Sequence, residues 1–280
     1  MMVVTIIGIG LIGGSMALCL REKGLAARVI GVEANADHAS RALELGIVDE
    51  ILPLHEAVSK ADLIVVSVPV TAATRVVAEV LNSITKQVVI DVGSTKGELC
   101  READLSPNRG RFVATHPMWG TEFSGPEAAT TNAFTGKALV ICDRHKSDPD
   151  ALAMVENMYR LLGMHLLNME AGMHDIHTAY ISHISHITSF ALANTVLEKE
   201  REEDAIFELA SAGFESTVRL AKSNADTWVP VFMQNKENVL DVLNEHITQL
   251  RKFKASLEKE NWDYLRELIE HANKIKRILK

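Results

Sequence analysis

The chain has 280 residues, and at ~150 residues per domain that length points to two domains with a sizeable core. Its 29 Lys and Arg against 37 Asp and Glu leave a net charge of −8, the wrong sign for a nucleic-acid binder with its basic face, and 47% hydrophobic residues exclude a disordered chain. Cys19, Cys100 and Cys142 are widely spaced and form no CxxC pair, which excludes a disulfide scaffold and a thiolate zinc site and suits a reducing cytoplasm.

The chain opens directly on an apolar run, Val3–Ile9, without the basic start and cleavage site of a signal peptide, so a cytoplasmic protein is expected. Further strands are expected at Val29–Glu33, Asp62–Val68, Gln87–Val92, Arg111–Thr115, Lys137–Cys142 and His165–Met169. Between them lie helical patterns such as Leu11–Lys23, Thr71–Leu81 and Pro149–Leu162. Several strands are unbroken Val/Ile/Leu runs, as strands covered on both faces are. This alternation predicts an α/β fold with a doubly wound, mainly parallel sheet.

After Glu170 the strand signals stop, and Met173–Lys199, Asp204–Ser223, Val231–Glu258 and Trp262–Leu279 read as helices. In the third, Val239, Leu243, Ile247, Leu250 and Leu257 mark one apolar stripe. Two domains are therefore expected, residues 1–169 around the sheet and residues 170–280 all-helical. The stretch Ile176–Leu197 contains no Asp, Glu, Lys or Arg, yet its His177, His183, His186, Ser and Thr residues make it too polar for a lipid-spanning helix. The expectation is a helix buried on all sides, completed by a second copy of the chain, and no membrane span.

Gly8-Ile9-Gly10-Leu11-Ile12-Gly13 follows the first strand and opens the first helix. In that context Gly8 permits the tight turn, Gly10 lets the backbone approach a pyrophosphate, and Gly13 lets helix and strand pack closely. The helix N-terminus, beginning at Leu11 and Ile12, offers N–H groups to the phosphates. Glu33 ends the second strand about 20 residues further on, placed to hydrogen-bond an adenosine ribose. Its charge repels a 2′-phosphate and no Arg immediately follows it, so the expected cofactor is NAD and not NADP. Ser67 and Pro69 end the third strand candidate beside the same crevice, where the proline stops the ladder. The expected N-terminal domain is thus a Rossmann-type dinucleotide-binding domain.

Three later segments, Thr115-His116-Pro117-Met118-Trp119-Gly120-Thr121-Glu122-Phe123-Ser124-Gly125, Ser182-His183-Ile184-Ser185-His186, and Gly213-Phe214 through Arg219-Leu220-Ala221-Lys222-Ser223, stand in order with Ser94-Thr95-Lys96. Together with the Gly-rich turn they resemble the prephenate dehydrogenase family, arogenate dehydrogenases included, over nearly the whole chain. Trp228 and Asn235-Lys236-Glu237-Asn238 add to the likeness.

The resemblance implies a Rossmann domain followed by an all-helical dimerisation domain, and an NAD-dependent oxidative decarboxylation of a cyclohexadienol in tyrosine biosynthesis. It implies His116 as the acceptor of the hydroxyl proton, a role suited to a neutral imidazole, and Ser94 as a hydrogen-bond partner of that hydroxyl. It further implies Arg219, His183 and Thr121 as substrate-binding residues, a guanidinium being able to take a carboxylate through two hydrogen bonds. Trp119 stands where the family often carries a smaller residue such as Ala, so its indole is expected to bear on the choice between prephenate and arogenate. A module that senses NAD(H) without chemistry is the alternative from another class, and it predicts loss of the His116, Ser94 and Arg219 set. No metal is expected: at ~100° per residue the pairs His174/His177 and His183/His186 point to opposite sides of one helix.

Overall fold

The computed structural model describes residues 1–200 and 212–278. One eight-stranded sheet contains β1 (Met2–Ile7), β2 (Ala26–Val32), β3 (Glu50–Ile51), β4 (Leu63–Val66), β5 (Val88–Asp91), β6 (Phe112–Pro117), β7 (Ala138–Cys142) and β8 (His165–Met169). The order is β3-β2-β1-β4-β5-β6-β7-β8, and every neighbouring pair is parallel except β6 with β7. The expected doubly wound, mainly parallel sheet is the one found. Only β3 was not foreseen, since two residues carry no readable period.

The unbroken apolar runs have a simple cause. Successive side chains of a strand point to opposite faces, and here both faces are covered. Leu63, Val65, Val88 and Ile90 enter one core with Met16 and Leu20 of α1 (Leu11–Glu22) and Val155 and Tyr159 of α6 (Pro149–Leu161). Ala42 of α2 (Ala36–Glu44) joins them. Ile64, Val66 and Val89 enter the other core with Val58 of α3 (Leu54–Lys60), Val77 and Val80 of α4 (Val70–Ser83), and Leu99 of α5 (Gly97–Ala103). The strand order reverses between β1 and β4, and at such a switch point open α/β sheets bind ligands beyond the carboxyl ends of their strands.

Beyond β8 the described chain is helical: α7 (Ala171–Thr178), a π turn (Ala179–His183), α8 (Ile184–Glu200), α9 (Ala212–Val218), a 3-10 turn (Arg219–Lys222), α10 (Ala225–Gln234), α11 (Lys236–Glu258) and α12 (Trp262–Ala272). The chain forms two compact units, Met1–Asn235 and Lys236–Lys280. Among the described residues no helix is long and apolar enough to cross a membrane.

Several helical expectations need correction. The helix expected over Val231–Glu258 is broken at Asn235, which caps the end of α10. Its expected stripe is buried at Val239, but Leu250 and Leu257 are exposed. Of the helix expected over Asp204–Ser223, residues 201–211 lie outside the described residues, as does part of the charged run Glu198–Asp204. Within one chain the stretch Ile176–Leu197 is not covered all round, the state that the expectation of a second copy presupposes: Ile176, Tyr180, Ile181 and Leu197 face outward while His183, His186 and Ser189 face inward. Nor is it one straight helix. Across nine residues of ideal α-helix His174 and His183 would differ by roughly half a turn. The π turn between them takes up about one extra residue per turn and brings both to the buried side.

Candidate active site

Gly8 ends β1 with φ +88°, a conformation that L side chains rarely adopt, and a Cβ there would lie 2.6 Å from the Ser67 carbonyl oxygen. A Cβ on Gly13 would lie 2.1 Å from the Gly8 carbonyl oxygen, so only glycine lets α1 start so close beneath the turn. At Gly10 no atom lies within 4 Å of a Cβ position, leaving the amide edge of the turn open. Leu11 and Ile12 form the first turn of α1, which carries no acidic residue to compete with a phosphate. Ser67 donates its N–H to the Ile7 carbonyl, and Pro69 caps the start of α4. Glu33 is half-buried just beyond β2, with Oε2 accepting the Ile9 N–H at 2.7 Å and Oε1 accepting the Asn35 N–H at 3.0 Å. An open amide edge, a helix N-terminus and a carboxylate across the turn are the donor and acceptor set a dinucleotide requires. These eight residues therefore stand together at the switch point.

His116 lies near the end of β6 and remains partly accessible. Its Nδ1 is 2.8 Å from Nε2 of the buried His174, whose Nδ1 is 2.8 Å from Oδ1 of Asp175. Desolvation first, then electrostatic opposition from His174, Lys96 and His183 to a further positive charge, holds the His116 pKa well below the usual histidine range. His116 is thus a neutral imidazole at ordinary pH.

Ser94 is half-buried in the loop between β5 and α5. Behind it the Lys96 ammonium, without solvent exposure, lies 2.5 Å from Asp91 Oδ2 and 2.6 Å from the Gly93 carbonyl oxygen, with the Thr95 carbonyl oxygen at 3.3 Å. The loop is therefore drawn around one buried cation. Thr115, just before His116, donates its N–H to Asp91 Oδ1 at 3.2 Å and its hydroxyl to the Asp91 carbonyl. Asp91 thereby joins the Ser94 loop to the strand that carries His116.

Gln234 of α10 accepts from the Thr95 hydroxyl at 2.5 Å and donates to the Val70 carbonyl at 2.9 Å. Next to it the Asn235 amide donates to the Asp175 carbonyl at 2.7 Å and lies 3.1 Å from His183 Nδ1. Burial pushes His183 down to about 4, which favours the neutral imidazole. Trp228 stacks on His186 with ring centroids 3.4 Å apart and lies edge-on to His183 at 5.9 Å.

Arg219 is exposed, its Nη1 3.7 Å from Glu122 Oε2, and Thr121 is exposed beside that glutamate. The expected residues divide into an inner group, the buried His183 with the half-buried His116 and Ser94, and an accessible rim of Arg219 and Thr121. The Trp119 indole packs edge-on to Phe134 at 5.8 Å, against the core of α1 and α6. Among the described residues no group of three or more His, Cys, Asp or Glu could hold a metal ion.

Sequence reasoning gave no role to Lys96, His174 and Asp175. A usable signal was present: His174-Asp175 is an adjacent base–acid pair at the edge of a stretch otherwise without Asp, Glu, Lys or Arg.

A Gly-rich turn at the switch point and a neutral histidine at the carboxyl edge of the same sheet define the layout of a nucleotide-dependent oxidoreductase. A family profile described as prephenate dehydrogenase, nucleotide-binding domain, matches residues 16–168, and one described as prephenate dehydrogenase, dimerization domain, matches residues 170–271. The chain belongs to the prephenate dehydrogenase family. A prephenate dehydrogenase of Bacillus subtilis is 30% identical over 92% of this chain and 71% of its own length. A cyclohexadienyl dehydrogenase of Zymomonas mobilis is 29% identical over 99% of this chain and 96% of its own length. The crystal structure of the prephenate dehydrogenase of Aquifex aeolicus in complex with hydroxyphenyl propionate and NAD+ superposes with a TM-score of 0.89 at 30% identity, covering 99% of this chain and 98% of that one.

Proposed function

We propose that this chain catalyses the NAD-dependent oxidative decarboxylation of prephenate to 4-hydroxyphenylpyruvate, the step that commits the ring to tyrosine biosynthesis. The observation that carries the reading is the position of His116 at the carboxyl edge of β6, beside the Ser94 loop at the end of the neighbouring β5, where burial favours its neutral form. Bound at the Gly8–Gly13 turn and Glu33, NAD supplies the hydride acceptor. His116 takes the proton of the ring hydroxyl as the carbinol carbon loses hydride. Loss of CO2 then returns an electron pair to the ring, and the phenolic oxygen recovers a proton, so no proton is released overall. Ser94 hydrogen-bonds the hydroxyl oxygen throughout. His183 and Thr121 contact the substrate, and Arg219 binds one of its two carboxylates.

Residues 1–169 act as the NAD-binding domain and residues 170–280 as the substrate and dimerisation domain of a cytoplasmic homodimer. The outward Ile176, Tyr180 and Ile181 supply an apolar face for the second copy. Arogenate is the second reading, supported by the Zymomonas mobilis relative, whose name specifies the cyclohexadienyl ring and not its side chain. A sensing module without chemistry fits less well, because His116, Ser94 and Arg219 are all present. The test is NADH formation followed spectrophotometrically with prephenate and arogenate in parallel, each with NAD and NADP. Turnover of prephenate with NAD is expected. Binding of NAD without turnover of either substrate would reject the reading.

A further inference from the structure

A base for a hydroxyl proton needs a bare ring nitrogen aimed at the substrate, and a neutral imidazole has only one. Which of the two His116 nitrogens is bare is decided two residues away. Asp175 Oδ1 accepts the Lys96 N–H at 2.8 Å and Oδ2 accepts the Gly97 N–H at 2.7 Å. Burial opposes the Asp175 charge, but hydrogen bonds from His174 and the Gly97 and Lys96 amides outweigh it and hold its carboxyl below the usual range. At 2.8 Å from an ionised carboxylate, His174 Nδ1 must carry hydrogen, because a bare nitrogen would set lone pair against lone pair. His174 is itself held neutral, chiefly by burial, so its Nε2 is bare and accepts. The partner 2.8 Å away, His116 Nδ1, must then donate, and the bare nitrogen of His116 is Nε2.

We propose that His174 and Asp175 are positioning residues that fix His116 in the tautomer with hydrogen on Nδ1, leaving Nε2 as the proton acceptor. Asp175 serves a second purpose through the same oxygens. By capping the start of α5 it ties the Ser94 loop to the helix that carries His174, so the hydroxyl's two partners share one anchor. Gly97 makes this approach possible: a Cβ there would lie 2.9 Å from Asp175 Oδ2. The inference deepens the dehydrogenase reading and rests on it for the role of His116, but the tautomer itself can be observed without turnover.

The experiment is 15N-correlated NMR of the histidine rings in the full-length protein near pH 7.5, with the His116→Asn spectrum assigning the His116 resonances. The expected wild-type signature is a protonated Nδ1 and a bare Nε2 on His116. In Asp175→Asn the amide cannot satisfy His174 and both backbone donors at once. With its NH2 toward His174 it reverses the chain and places hydrogen on His116 Nε2. By analogy with loss of the carboxylate behind a catalytic histidine, kcat should fall by ~10²–10⁴ with KM little changed.

His174→Gln and His174→Leu provide a control that does not rely on Asp175→Asn folding. A Gln oxygen can occupy the place of Nε2 and accept from His116, so Gln should keep the tautomer and kcat within about tenfold, whereas Leu should lose both. A wild-type His116 with hydrogen on Nε2 overturns the proposal, as do Gln and Leu variants of equal kcat. A wild type with the expected tautomer but no turnover of either substrate leaves the positioning intact and rejects the dehydrogenase reading instead.

Discussion

The Glu33 carboxylate and the Ile9 amide are joined across the Gly-rich turn at 2.7 Å, so the residue proposed to face the cofactor ribose also holds the turn in shape. Glu33 therefore does two things at once. Its charge disfavours a 2′-phosphate, and its oxygens satisfy two backbone N–H groups.

Replacing Glu33 with Ser should narrow the NAD over NADP preference by tenfold or more, about 1.4 kcal/mol per decade. It should also raise the KM for NAD, because the Ile9 and Asn35 amides lose their acceptor. Parallel kcat/KM values for the two cofactors measure both effects. Equal use of NAD and NADP by the unaltered protein rejects the ribose assignment.

The pH profile of kcat follows from the surroundings of His116. An unperturbed histidine titrates at ~6.5, but burial first, then the electrostatic influence of His174, Lys96 and His183, pushes this one well below that value. Asp175 and Asp91, the acidic groups nearby, are already engaged by His174, Lys96 and backbone amides. The base is active when neutral, so kcat should rise with pH along a limb lying well below 6.5 and stay flat above it. His116→Asn should lower kcat by ~10²–10⁴ and remove the limb. An unchanged kcat with the same limb would show that another group is the base, and His183 is then the first candidate.

The parts of this site read from sequence are those whose partners are near in the chain or whose spacing is rigid. The Gly8–Gly13 turn is legible because three glycines at fixed offsets must follow a strand and precede a helix. His116 stands out through a contiguous segment, Thr115 to Gly125. The His116–His174 and Lys96–Asp175 bonds join residues 58 and 79 positions apart, and no local pattern announces them. The π turn hid the relation further, because an ideal helical wheel places His174 and His183 on opposite sides. The sheet was legible strand by strand because both of its faces are covered, which leaves uninterrupted apolar runs. The faces of α7 and α8 were not, because lack of charge looks the same in a core as on a face awaiting a partner.

That outward face predicts the state of assembly. Ile181 is 66% exposed and Tyr180 42%, in the stretch Ile176–Leu197 that contains no Asp, Glu, Lys or Arg to keep it in water. The protein should scatter light as a dimer of about twice 30.8 kDa. Ile181→Glu, which sets a charge in the contact, should shift it toward the monomer. A fully active wild-type monomer argues against the helical dimer.

Lys96 and Asp91 form an ion pair in which neither side chain is exposed. Lys96→Met should leave the Asp91 carboxylate buried without its cation, at a cost of ~3–5 kcal/mol. The double variant Lys96→Met/Asp91→Asn should regain part of that loss, because no charge is then stranded. Urea unfolding of the two single variants, the double variant and the wild type measures the coupling. Additive losses from the two singles would mean that the pair does not act as a unit.

Arg219 separates binding from chemistry. Its guanidinium is more than half exposed and 3.7 Å from Glu122, a loose pair that a substrate carboxylate can displace by offering two parallel acceptors. A carboxylate anchor acts equally before and during the reaction, so if Arg219 has that proposed role Arg219→Gln should raise the KM for prephenate by about tenfold or more with kcat nearly unchanged. Glu122→Gln removes the competing carboxylate, and because an exposed ion pair is weak it should lower KM by only a few-fold. High salt should shrink the Glu122 effect first, since exposed charges are screened. A fall in kcat at unchanged KM in Arg219→Gln would place the arginine's work in the transition state and reject the assignment as a ground-state carboxylate anchor.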